Sequence, residues 1–173
     1  FILYWFVTNR NLRLQNLLLL VSSYFFYAFW DWRFLFLLIF STLLDYFTGI
    51  KMSEAKSTKM KKFWFWLSIS VNLGFLGFFK YYNFFLDSFD SAFSLFVGNL
   101  DWLHLNLILP IGISFYTFQA LSYVIDIYRG ESEPSDSLID VALFISFFPQ
   151  LLAGPIERAR NILPQLKNEH KFD

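Results

Sequence analysis

Apolar residues fill this chain in runs of membrane-spanning length, and the polar positions between them fall in short clusters. Leu12 to Trp30 is one run, closed by Asp31-Trp32-Arg33, a turn so short that the next segment must be an antiparallel neighbour. Phe34 to Ile50 follows, then the polar loop Lys51 to Lys62, then Phe63 to Phe79 and Leu107 to Tyr128. A bilayer needs about 20 apolar residues per helix, so each of these four reads as a transmembrane span. Phe1 to Val7 reads as the tail of a further span, since a signal peptide would open on a basic stretch. Lys167 to Asp173 is a charged tract without a stop. The pattern predicts an all-α, polytopic transmembrane bundle, one membrane domain over 1–173 that is incomplete at both ends.

Two stretches depart from simple spans. Asn83 to Val97 mixes Phe84, Phe85, Phe89, Phe93 and Phe96 with Asp87, Asp90 and Ser91, which suits an interfacial helix on the outer surface. A short buried helix is the alternative. Leu138 to Ala153 offers 16 residues before Gly154-Pro155, with Pro149 inside, too short and too interrupted for a straight crossing. A bent or re-entrant element is expected there, because a full crossing would carry Arg158, Arg160, Lys167 and Lys171 to the outside.

Composition agrees with the membrane reading. The chain is 56% hydrophobic and 23% aromatic, with 25 Phe and 16% charged residues, against about 25% charged in soluble domains. Its formal net charge is zero, so no field argues for nucleic acid. Without Cys there is no disulfide, thiolate metal site or cysteine nucleophile. Trp30, Trp32, Trp64, Trp66, Tyr81, Tyr82, Trp102 and Tyr128 gather near the span ends, as interfacial aromatics do. Lys and Arg set the orientation. With Lys51 to Lys62 cytoplasmic, eight basic residues (Arg10, Arg13, Lys51, Lys56, Lys59, Lys61, Lys62, Arg129) lie inside and two (Arg33, Lys80) outside.

Candidate chemistry is sparse. His104 and His170 have no second His or carboxylate at metal spacing and no Ser at motif spacing, so no metal site is expected. Gly74 and Gly77 read as helix packing contacts. The informative feature is a stripe: Tyr116, Gln119, Tyr123 and Asp126 are spaced three, four and three apart and share one helix face. Lipid rejects such a face, so it must look onto other helices or a wet cavity. Asp45 and Asp126 are intramembrane carboxylates near cytoplasmic helix ends and default to functional candidates. Arg129 is a candidate ion-pair partner for Asp126. The alternative is an interfacial pair that fixes helix depth. Arg158 and Arg160, beyond the bent element, are placed to hold phosphates of a donor or to anchor the chain at the surface.

Three motifs occur in order: Leu76-Gly77-Phe78-Phe79-Lys80-Tyr81-Tyr82-Asn83-Phe84-Phe85, the Pro110 to Arg129 span, and Phe147-Phe148-Pro149-Gln150-Leu151-Leu152-Ala153-Gly154-Pro155-Ile156 with Arg158. Together they resemble the membrane-bound O-acyltransferase family, in its alginate O-acetyltransferase-like branch, over roughly residues 15 to 166 of the N-terminal half. The resemblance implies a multi-span cell-membrane enzyme with a pore-like core. It implies transfer of acetyl from a cytoplasmic thioester, acetyl-CoA or an acyl carrier, to hydroxyls of an exported polysaccharide, with no bound cofactor. The lipid bilayer and a polysaccharide acceptor, or a partner acetyltransferase protein on the outer side, are the implied partners.

The family's catalytic His sits in a Trp-His-Gly setting in the C-terminal half. Trp102-Leu103-His104-Leu105 departs from it, so no catalytic residue is assigned in this chain, which alone should be inactive. On this reading Tyr116, Gln119, Tyr123, Asp126 and Asp45 belong to the tunnel, and Arg158, Arg160 and Gln150 to the donor side. Two alternatives stand: D-alanyl transfer to wall polymers within the same family, and a polar-cored transporter or structural subunit.

Overall fold

The computed structural model describes residue 4 and residues 11–97, 109–154 and 157–168, without the side chains of 83, 89–97, 152 and 153. The expectations for Phe1 to Val7 apart from Tyr4, and for Trp102, His104 and His170, therefore lie outside the described residues. The elements are α1 Leu12–Ser53, α2 Thr58–Val97, α3 Ile113–Arg129, α4 Leu138–Ser146, α5 Phe148–Ala153 and α6 Ala159–Leu166. The described residues contain no strand, as the all-α reading requires.

α1 is two arms. Asn11 caps the first, its side chain accepting the Arg13 N–H at 3.0 Å. The helix breaks at Asp31, whose backbone is extended (φ −158, ψ 108). Its carboxylate accepts the Arg33 N–H at 3.0 Å, capping the second arm, and takes the Arg33 guanidinium at 2.6 Å. That contact holds the Asp31 carboxyl below the usual carboxylate range. Arg13 and Tyr46 line one cleft, whereas a straight helix would hold them about 50 Å apart. The chain therefore reverses at Asp31, where the sequence placed its turn.

The second arm runs antiparallel to α2. Edge-on ring pairs join Phe34 to Phe79 (5.7 Å), Phe40 to Phe75 (5.8 Å) and Phe47 to Trp64 (5.7 Å), as one index rises and the other falls. α2 differs from expectation beyond residue 79. Residues 80–97 continue it without a break, so the segment expected as a separate interfacial helix is the end of one long rod. The cause is local: no Gly or Pro lies between 80 and 97. No described atom lies within 4 Å of a Cβ built at Gly74 or Gly77, and both line an open groove on α2.

α3 begins at Ile113, six residues after the expected Leu107, because Pro110 and the left-handed Gly112 (φ 73) precede it. Its other end closes on Gly130 (φ 75) in a Schellman motif, with Gly130 N–H bonded to Ile127 O and Glu131 N–H to Asp126 O at 2.9 Å.

The apolar run after residue 138 is bent, as expected. It breaks at Phe147 (ψ 109), just before Pro149 opens α5, and ends at Gly154. The bend is also a return. Near its start Asp140 accepts from Asn16, and after α5 the chain comes back so that Leu166 O accepts from the same Asn16, at 2.9 and 2.8 Å. Between these points Phe148 N–H donates to Ser23 and Leu151 packs at Gly112, toward the Asp31 end.

The bundle is apolar on its outside as well as in its core, and it buries polar side chains within that core. Phe25, Phe29, Phe36, Phe84 and Phe85 stand outward, Phe29 at 86% exposure, while Asn16, Asp45, Asn72, Gln119 and Asp126 are buried. Water would penalise so large an apolar surface and lipid would not. Two stretches, Leu12–Ser53 and Thr58–Tyr82, are long and apolar enough to cross a membrane. Both features fit a membrane helical bundle.

Candidate functional site

Asp45 sits in the middle of the α1–α2 seam with no exposed surface. Its Oδ1 accepts from Ser68 Oγ at 2.5 Å and from Asn72 Nδ2 at 2.8 Å, and Asn72 Oδ1 accepts from Ser41 Oγ at 2.5 Å. Ser41 and Asp45 are one turn apart on α1, and Ser68 and Asn72 one turn apart on α2, so four side chains close a buried polar clamp. Sequence reasoning found Asp45 and missed the other three. The matching i, i+4 spacing on two neighbouring spans was the signal available.

The α3 stripe faces inward, as its spacing demanded. Tyr116, Gln119, Tyr123 and Asp126 are each at most 3% exposed, and Thr117 is buried with them. Tyr123 runs across the seam: its hydroxyl accepts the Ser135 N–H at 3.3 Å, and its ring edge lies against Gly49 on α1. Tyr27, which the reading overlooked, donates to Ile111 O at 3.1 Å and shares the core cluster with Tyr116 and Tyr123.

Among the described residues, three buried side-chain oxygens make no hydrogen bond of ordinary geometry, Asp45 Oδ2, Tyr116 Oη and Asp126 Oδ2, and of these Tyr116 Oη has the Tyr27 hydroxyl nearby. All three belong to residues singled out from the sequence. Such orphans are rare because each costs about 1–3 kcal/mol, and they mark places where a protein reserves polar capacity.

The expected Asp126–Arg129 pair does not form. Asp126 points inward, while the outward Arg129 guanidinium lies 3.8 Å from Glu131, which the Schellman turn brings back over the helix end. Glu131 also draws Arg158 (3.7 Å) and Arg160 (3.3 Å). Arg158 and Arg160 are thus together, at one end of the bundle. Gln150 is elsewhere. It lines a cavity of about 280 Å³ with Tyr4, Asn16, Phe147, Gln165 and Leu166, walled by α1, α4, α5 and α6.

No family model and no solved structure matches the chain. Curated relatives do. Over 163 residues, 93% of the chain, it is 44% identical to the probable alginate O-acetylase AlgI of Pseudomonas putida and 41% identical to that of Pseudomonas aeruginosa. It is also 35% identical to a peptidoglycan O-acetyltransferase of Helicobacter pylori. The chain spans about a third of the length of these relatives. An apolar shell around a core that buries partly unsatisfied polar groups defines the class, a helical membrane bundle. Within that class the chain belongs to the membrane-bound O-acyltransferase family, in its alginate O-acetylase-like branch.

Proposed function

We propose that the full-length protein is a multi-pass O-acetyltransferase of the cytoplasmic membrane that acetylates hydroxyls of an exported polysaccharide. The observation that carries this reading is the 44% identity over 93% of the chain to a relative named for alginate O-acetylation. The donor is an acetyl thioester, acetyl-CoA or an acyl carrier, presented from the cytoplasm. A histidine outside this chain takes the acceptor hydroxyl proton as its oxygen attacks the thioester carbonyl, and the thiol leaves. The chain contributes the polar wall formed by Tyr116, Gln119, Tyr123, Asp126 and Asp45. Arg158 and Arg160 stand on the donor side.

The orientation draws support from the geometry. Lys61 lies over the Tyr128 ring at 5.5 Å, Arg13 lines a cleft with Asp136 and Asp140, and Arg129, Arg158 and Arg160 meet at Glu131. All occupy the end away from Asp31 and Arg33. That basic end is the cytoplasmic one, with the Lys51 to Lys62 loop.

A second acceptor is favoured by one observation, the 35% identity to a relative named for peptidoglycan O-acetylation. Deleting the gene and measuring ester-linked acetate on each polymer separates the two. Loss from the exported polysaccharide supports the first reading, and loss from the wall alone supports the second. Unchanged acetate on both overturns the function.

A further inference from the structure

Three guanidiniums converge on one carboxylate at the basic end of the bundle. Arg129, Arg158 and Arg160 lie 3.8, 3.7 and 3.3 Å from Glu131, with Arg side chains about half exposed. A cavity of about 310 Å³ opens beside them, lined by Glu131, Ser132, Glu133, Arg160 and Lys167 among others. Four cations and two carboxylates leave the cluster positive. One carboxylate cannot fill three planar forks, whereas a phosphate, with more oxygens and up to two charges, can.

Glu131 is also held in place by backbone alone. Gly130 in its left-handed turn and the Glu131 N–H on Asp126 O set its position, so its side chain is free to swing without unfolding α3. Exposed pairs at such distances are weak, about 0.2–1 kcal/mol each, and a competing anion can displace them.

We propose that Arg129, Arg158 and Arg160 form a phosphate site and that Glu131 is its built-in occupant, displaced when a phosphate-bearing ligand arrives. The inference rests on the donor-side reading of Arg158 and Arg160, and adds the gate and the third arginine. The phosphate belongs either to a soluble thioester donor or to a lipid headgroup.

The test uses full-length protein in phosphatidylcholine nanodiscs, titrated with coenzyme A. Glu131→Gln should tighten binding about threefold to tenfold, the effect of removing three pairs at the weak end of that range from the competition. Adding Arg158→Gln and Arg160→Gln should abolish the gain. In a second arm, flotation is measured on vesicles of phosphatidylcholine with phosphatidylglycerol, using the same variants in detergent. A Glu131→Gln gain in that arm alone keeps the site and assigns its phosphate to lipid. Unchanged behaviour in both arms overturns the proposal, and so does a gain that survives loss of both arginines. Acetyl transfer is assayed on the same preparations. Active enzyme with no Glu131 effect sinks only the gate, and a Glu131 effect without transfer sinks only the function.

Discussion

Gly49 on α1 lies against the ring edge of Tyr123 on α3. A Cβ at 49 would stand 3.2 Å from Tyr123 Cε1 and 3.0 Å from Ile127 Cδ1. The approach matters beyond packing, because Tyr123 also receives the Ser135 N–H that ties down the turn after α3. Position 49 thus sets how close the polar stripe comes to the Asp45 seam. Within a membrane, where the helices gain little from burial, such close contacts are a main source of association.

Gly49→Leu should therefore lower stability by about 1–3 kcal/mol through overpacking. Gly49→Ala should cost little, since up to about 1 kcal/mol of helix propensity offsets the tight contact. Denaturant titration of the full-length protein in mixed micelles measures both. Equal midpoints for Gly49→Leu and wild type would show that α1 and α3 are not packed through this glycine.

The clamp around Asp45 makes an ordering prediction. Asn72→Ala strands Ser41 and also removes one of the two donors to Asp45 Oδ1, whereas Ser68→Ala removes only the other donor. Interhelical hydrogen bonds in membranes average roughly 0.6 kcal/mol, with larger costs where a partner is left unpaired. Asn72→Ala should thus destabilise more than Ser68→Ala by the same denaturant assay. The reverse order would mean the asparagine is not the bridge.

How much of this was legible follows from what polar side chains do in apolar helices. Asp31 announced a reversal because a charged cluster between two apolar runs has nowhere else to go. The stripe from Tyr116 to Asp126 announced an inward face because lipid excludes it. Ser41, Ser68 and Asn72 announced nothing singly: Thr42 and Ser146 bond their own i−4 carbonyls, and sequence does not distinguish such a hydroxyl from one that reaches a neighbouring helix. Arg129 was misassigned for a related reason. Spacing along α3 favoured Asp126, but the left-handed Gly130 folded Glu131 back within reach.

Gln119 is 2% exposed in the middle of the inward face, and Leu121, also buried, stands off the stripe. Gln119→Leu should reduce acetyl transfer by the full-length enzyme clearly more than Leu121→Ile, with both proteins inserted at wild-type levels. Matching rates in the two variants would reduce the stripe to ordinary packing.

The excursion from α4 to α6 makes the sharpest claim about topology. It starts and finishes at Asn16, so Lys167 should share a side of the membrane with the loop that carries Ser57, although a bent apolar run lies between α3 and Lys167. Full crossing would place Lys167 opposite. The chain has no cysteine of its own, so single-cysteine variants report cleanly in a cysteine-free background. Ser57→Cys and Lys167→Cys, both at exposed positions, should resist an impermeant maleimide until the cytoplasmic membrane is permeabilised. Trp32→Cys, at a 64% exposed position beside the Asp31 reversal, should react from outside beforehand. Labelling of Ser57→Cys from outside would invert the bundle. Labelling of Lys167→Cys from outside, with Ser57→Cys still protected, would turn the excursion into a crossing. It would also move Arg158 and Arg160 away from any cytoplasmic donor.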